Sequence, residues 1–173
     1  MSGINRENGF RRAQSAVYGA VMAGILLIGQ VVMSGLPNIE PVSLLVIQYT
    51  LFSPRLARWA VGIFVLLEGV LYGFGLWWVS YLYVWYILHA LAFLTRRMAG
   101  AVFCALLSGA FGLFFGLLTS PSYLLAGGAG GWLAYVVSGI PFDLLHCAGN
   151  FLLMLALYTP LRKLFLRLEK RLA

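Results

Sequence analysis

Three of the five acidic residues in the 173-residue chain, Glu40, Glu68 and Asp143, stand among apolar neighbours with no basic residue close by in sequence. The richest of these surroundings is Ile140-Pro141-Phe142-Asp143-Leu144-Leu145-His146-Cys147-Ala148-Gly149-Asn150. On a helix whose first turn holds Pro141, Asp143, His146 and Asn150 fall at i, i+3 and i+7 and share one face. That face must look inward, either as a satisfied polar cluster in which Asp143 orients His146 or as the wall of a ligand site. Asp and His could supply a base and its orienter, but Ser43 and Ser138, the available hydroxyls, lack any nucleophile motif. No catalytic residue is therefore assigned. His89 reads as a packing hydrogen-bond donor, and the spacing of His89, His146, Glu68 and Asp143 asks for no metal.

Glu68 lies inside a long apolar stretch, where an unpaired carboxylate is costly unless it meets a watery cavity, a ligand, or hydroxyls and amides. Glu40, flanked within two residues by Pro37-Asn38 and Pro41, reads equally well as a ligand contact or a solvated loop residue. Between these acids in sequence runs an aromatic cluster, Trp77, Trp78, Tyr81, Tyr83, Trp85 and Tyr86. It suits either ring stacking on a ligand or an interfacial belt.

The elements that must position these groups are membrane helices. A composition of 62% hydrophobic and 10% charged residues, with a mean hydropathy of +0.92, cannot build a water-facing surface. At about 20 residues per crossing, six apolar stretches emerge, near 13–35, 42–52, 57–76, 79–94, 100–118 and 137–161. The second is short for a crossing, and 119–136, with Ser120-Pro121-Ser122 and Gly127-Gly128-Ala129-Gly130-Gly131, reads as a partly helical lid or re-entrant segment. The expected fold is an all-α integral membrane protein, a single six-helix transmembrane domain over 1–173. The first stretch is too long for a signal-peptide core and reads as an uncleaved span. Cys104 and Cys147 fall near opposite faces in this topology and read as packing residues rather than a disulfide.

The twelve Lys and Arg occupy four places: Arg6, Arg11 and Arg12; Arg55 and Arg58; Arg96 and Arg97; and Arg162, Lys163, Arg167, Lys170 and Arg171. With six spans, all of these lie on one side and none on the other, which places both termini in the cytoplasm. The net charge of +7 is thus a topology signal, and no nucleic-acid partner is expected. Span one also carries small residues every fourth position, Ala16, Ala20 and Gly24, a face that lets another helix approach closely. Ser108, Gly112 and Gly116, with Gly69 and Gly73, make similar faces that read as packing within the bundle.

Four local features together resemble the substrate-binding S components of energy-coupling factor (ECF) vitamin transporters. They are Ala16-Val17-Tyr18-Gly19-Ala20, Pro37 to Val42, Leu67-Glu68-Gly69 through Trp78, and Ile140 to Asn150, a likeness spread over roughly 13–161. The resemblance implies a micronutrient-binding subunit of a bacterial plasma membrane, without an ATPase or cofactor of its own. It implies docking through Ala16, Ala20 and Gly24 onto a transmembrane coupling protein driven by two ABC-type ATPases that use ATP. It also implies an outward cavity covered by 37–41 and 119–136, with Glu40, Glu68, Tyr72, Trp77, Trp78, Tyr81, Asp143, His146 and Asn150 as substrate-binding candidates. Because the outer half holds no Lys or Arg, a carboxylate or phosphate ligand would lack a cationic partner. The carboxylates and aromatic faces suit a neutral or cationic ring-containing ligand: a thiamine-like or pyrimidine compound, a deazaguanine-type base, or an amide-rich corrinoid. Two other classes fit the same residues, an intramembrane enzyme acting on a lipid-like substrate and a structural or assembly membrane protein.

Overall fold

The computed structural model describes residues 2–36 and 39–172, with side chains for 13–36 and 39–170. Pro37 and Asn38, the first two residues of the expected outer lid, lie outside the described residues, as do the side chains of Arg6, Arg11, Arg12 and Arg171. Every described element is helical: α1 (Ser2–Met33), α2 (Val42–Phe52), α3 (Pro54–Tyr72), α4 (Leu76–Leu94), a 3-10 turn (Arg96–Met98), α5 (Ala101–Leu113), α6 (Phe115–Thr119) and α7 (Pro121–Leu172). Three stretches, Ala13–Met33, Leu76–Leu94 and one within Pro121–Lys170, are long and apolar enough to cross a membrane.

The short second stretch is an interior helix. α2 is buried from Val42 to Thr50 and packs against α1, α3, α4, α5 and α7. Eleven residues rise only about 16 Å, so α2 stands inside a sleeve of longer helices, apolar all round as an interior helix must be. Its N-terminus is held by the Glu40 carboxylate, which accepts from the backbone N–H of Val42 and of Ser43, the latter at 3.1 Å. Three amide dipoles' worth of positive potential at a helix start suits an anion there.

α3 begins with Ser53 accepting from the Leu56 N–H and with Pro54 in the first turn, and it stops at Gly73, whose φ of 88° suits glycine alone. Only Gly73 to Gly75 separate α3 from α4, so Trp77 and Trp78 belong to the first turns of α4 rather than to a loop. The expected fifth span is divided at Phe114 into α5 and α6. The glycine faces of α5 and α6 are internal packing, because a Cβ on Gly112 would meet the His146 carbonyl at 2.8 Å and one on Gly116 would meet the Asp143 carboxylate.

Two expectations about the last third are corrected. The segment 119–136 is almost wholly helical: Pro121 opens α7, and the helix is broken only at Gly128, at φ 62°. The two pieces fold against each other, with Tyr123 stacked on Tyr135 at 3.8 Å and Trp132 Nε1 donating to Ser120 Oγ at 2.8 Å. Pro141 lies inside α7 rather than in its first turn. Its missing N–H removes one hydrogen bond, a loss that membrane helices tolerate where neighbouring groups compensate. Cys104 and Cys147 are both free, yet not at opposite ends: Cys147 faces Gly109, five residues along α5 from Cys104.

Side-chain contacts bring the three later basic clusters together at one end. Arg162 of α7 donates to the Leu51 carbonyl at 3.2 Å, the Tyr158 hydroxyl donates to the Ala99 carbonyl, and Phe165 packs on Tyr49 and Phe52. Arg55, Arg58, Arg96 and Arg97 border the same end by their places in the chain.

Candidate ligand cavity

At the other end, where α1 and α3 finish and α4 begins, a cavity of about 460 Å³ opens between the helices. Six of the nine expected binding residues line it: Glu40, Glu68, Tyr72, Trp77, Tyr81 and His146. With them come Gln30, Met33, Ser34, Leu36 and Ile39 from the end of α1 and the connection to α2, plus Trp85 and Phe115. No Lys or Arg is among the lining residues.

Glu68 is only 1% exposed. Its Oε2 accepts from Gln30 Nε2 at 3.0 Å, while Oε1 has no partner. A buried carboxylate oxygen left unpaired costs about 1–3 kcal/mol or more, so this wall is poised for a donor that the described residues do not supply. The Tyr81 hydroxyl lies near Gln30 and within electrostatic reach of Glu68 and Glu40. Trp85 Nε1 is a second buried polar atom of the wall without a partner.

Glu40 is neither free for a ligand nor a solvated loop residue. Besides capping α2 it accepts from Ser43 Oγ at 2.6 Å, and its Oε1 stands 3.2 Å from His146 Nε2. This contact ties the α1–α2 connection to the middle of α7. His146 thus takes its polar partner from Glu40 rather than from Asp143, and its ring packs edge-on against Phe115 with centroids 4.9 Å apart.

Aromatic rings continue the wall. Trp77, Tyr81 and Trp85 recur every fourth residue along α4 and pack edge to face, at 5.1 Å and 5.5 Å between successive centroids, and Trp85 meets Phe115 at 5.7 Å. Trp85 was legible in that spacing, but the belt interpretation masked it. Gln30 had a signal too, as an amide deep within an apolar helix.

Three expected residues do not reach the cavity. Trp78 points away, its Nε1 donating to the Val65 carbonyl at 2.8 Å and its ring packing on Phe74. Asp143 accepts from the Gly116 N–H at 3.0 Å, closing the break between α5 and α6. Asn150 Nδ2 donates to Ser43 Oγ at 3.1 Å and approaches the Ser108 carbonyl. The face shared by Asp143, His146 and Asn150 does look inward, but each step along α7 meets a different neighbour. The lining also contains no residue of 119–136, so the second expected lid does not cover the cavity.

Neither candidate nucleophile is set for attack. Ser43 gives its proton to the Glu40 carboxylate rather than to an imidazole, and Ser138 donates to the Tyr135 carbonyl.

Compared with protein-family models, curated proteins and solved structures, the chain gives no match. The class that sequence and fold define is an all-helical protein with several helices able to cross a membrane.

Proposed function

We propose that this protein is the substrate-binding S subunit of an ECF-type transporter, a multi-pass protein of a bacterial plasma membrane with six spans and both termini in the cytoplasm. In this reading it captures a neutral or cationic ring-containing micronutrient from outside, and a coupling protein with two ABC-type ATPases drives its uptake. The observation that carries the reading is the cavity with Glu68 in its wall, at the end of the bundle remote from the basic clusters. Its volume falls in the usual range for small-molecule sites, about 300–1,000 Å³. A purely structural membrane protein has no need of a buried carboxylate with an unpaired oxygen.

α1 adds support. Gly19 packs inward against Trp59, whereas Ala20 is exposed, Ala16 half-buried, and a Cβ at Gly24 would meet nothing within 4 Å. The Ala16, Ala20 and Gly24 ladder therefore lies along a face that this chain leaves largely uncovered, as a docking face requires.

Mild-detergent purification from the native membrane tests the proposal: both ATPases and a stoichiometric small molecule should co-purify. Recovery of neither would sink it. Replacing Ala16 and Ala20 together with Leu should abolish uptake and leave ligand affinity unchanged.

A further inference from the structure

The charges around the cavity do not cancel, and the imbalance has an address. The Glu40 carboxylate is answered by the first amides of α2, by the Ser43 hydroxyl and by His146. Among the described residues, the Glu68 carboxylate is answered only by the neutral amide of Gln30, with Oε1 left over, and no Lys or Arg lines the space. Amides orient a carboxylate but do not neutralise it, and a charge held away from water is costly without a partner of opposite sign. Trp77, Tyr81 and Trp85 line the same cavity as Glu68, each ring set edge-on to the next. Aromatic faces attract a cation through their quadrupole, and an aromatic wall suits a flat group.

We infer, building on the ligand-binding reading above, that the cavity selects a planar cationic ligand whose N–H groups pair with Glu68 and whose ring lies against the α4 aromatics. Gln30 is then a positioning residue: by holding Oε2 it fixes the Glu68 carboxylate in the cavity wall. An anionic ligand of the same shape meets Glu68 head-on and is rejected, and a neutral one gains the stacking without the ion pair.

Three probes of nearly one shape test this: benzamidine as the cation, benzamide as the neutral form and benzoate as the anion. Each is titrated into the purified full-length protein in detergent by calorimetry, with tryptophan emission from Trp77 and Trp85 as the second readout. Benzamidine should bind about tenfold or more tighter than benzamide, the difference expected for one charge-assisted hydrogen bond, and benzoate should not bind. Glu68→Gln should bring benzamidine down to about the benzamide level, and Glu68→Asp should retain the preference for the cation. Gln30→Leu should weaken benzamidine more than benzamide. Equal binding of benzamidine and benzamide, tighter benzoate, or no binding of any probe overturns the inference. If Glu68→Gln does not fold, the ranking on the unmodified protein decides alone. None of these titrations needs the transporter's partners, so the transport reading stands or falls separately on the co-purification.

Discussion

Substituting Gly112 with Ala should be the most damaging single-methyl change in the protein. The added Cβ would sit 2.8 Å from both the carbonyl carbon and oxygen of His146 and 3.0 Å from the Cys147 nitrogen, about 0.6 Å short of ordinary van der Waals contact at 3.4 Å. All three are backbone atoms of α7, so no side chain can swing aside and the two helices must part. Overpacking of this kind costs roughly 1–3 kcal/mol. The same displacement carries His146 away from Glu40, where the contact is already 3.2 Å, and a hydrogen bond to a charged group is worth a further ~1.5–3 kcal/mol. With roughly 2–4 °C of melting temperature per kcal/mol for a chain of this size, thermal unfolding in detergent should fall by about 5 °C or more. Gly139→Ala is the control: it adds the same methyl inside α7 where nothing lies within 4 Å, and better helix propensity should stabilise it by up to ~1 kcal/mol. If the two variants melt together, α5 and α7 are not in backbone contact at Gly112, and the placement of His146 argued from that contact falls with it.

Other expectations follow from individual bonds. Thr50 Oγ1 donates to the Val46 carbonyl and so accepts from His89 Nδ1 at 2.9 Å; Thr50→Val should lower stability by about 1–3 kcal/mol, seen as a lower melting temperature. Adjacent tryptophans should separate cleanly: Trp77→Ala weakens benzamidine binding severalfold, while Trp78→Phe loses its bond to Val65, melts earlier and binds the probe as before. Asp143→Ala strands the Gly116 N–H and should cost about 1–3 kcal/mol with affinity for the probe unchanged within about twofold. Topology is read with single cysteines in a background lacking Cys104 and Cys147. A cysteine at the exposed Ser34 should react with an impermeant thiol reagent from outside, and one at Lys163 should not; Ser80, although near the outer end, is unsuitable because it is buried against Thr119 and Ser122.

Much of the site was legible in the residue order because membranes make polar groups conspicuous. Glu68 and His146 stood out by residue type and apolar setting, Trp77 and Tyr81 were named through the family resemblance, and all four line the cavity. Trp78 packs on α3 instead of lining the cavity, and Asp143 and Asn150 lie outside the lining for another reason. Helical spacing tells which residues share a face but not which neighbour that face meets, and along α7 the neighbour changes from α6 at Asp143 to Glu40 at His146 to Ser43 at Asn150. Gln30 and Glu68 are 38 residues apart, beyond the reach of any local pattern.

By itself, the order of residues determined an apolar, helical chain and the bounds of α2. Apolar runs, prolines, glycines and clustered arginines each act within a few residues, through burial, backbone sterics and charge. Only the tertiary structure decided that α2 is an interior helix, that Glu40 is satisfied by its cap and His146, and that one oxygen of Glu68 is left without a partner. Those outcomes depend on long-range packing, in which a buried polar group can take only the donors and acceptors that the neighbouring helices bring to it. The single carboxylate oxygen those neighbours fail to satisfy is where a ligand would complete the protein.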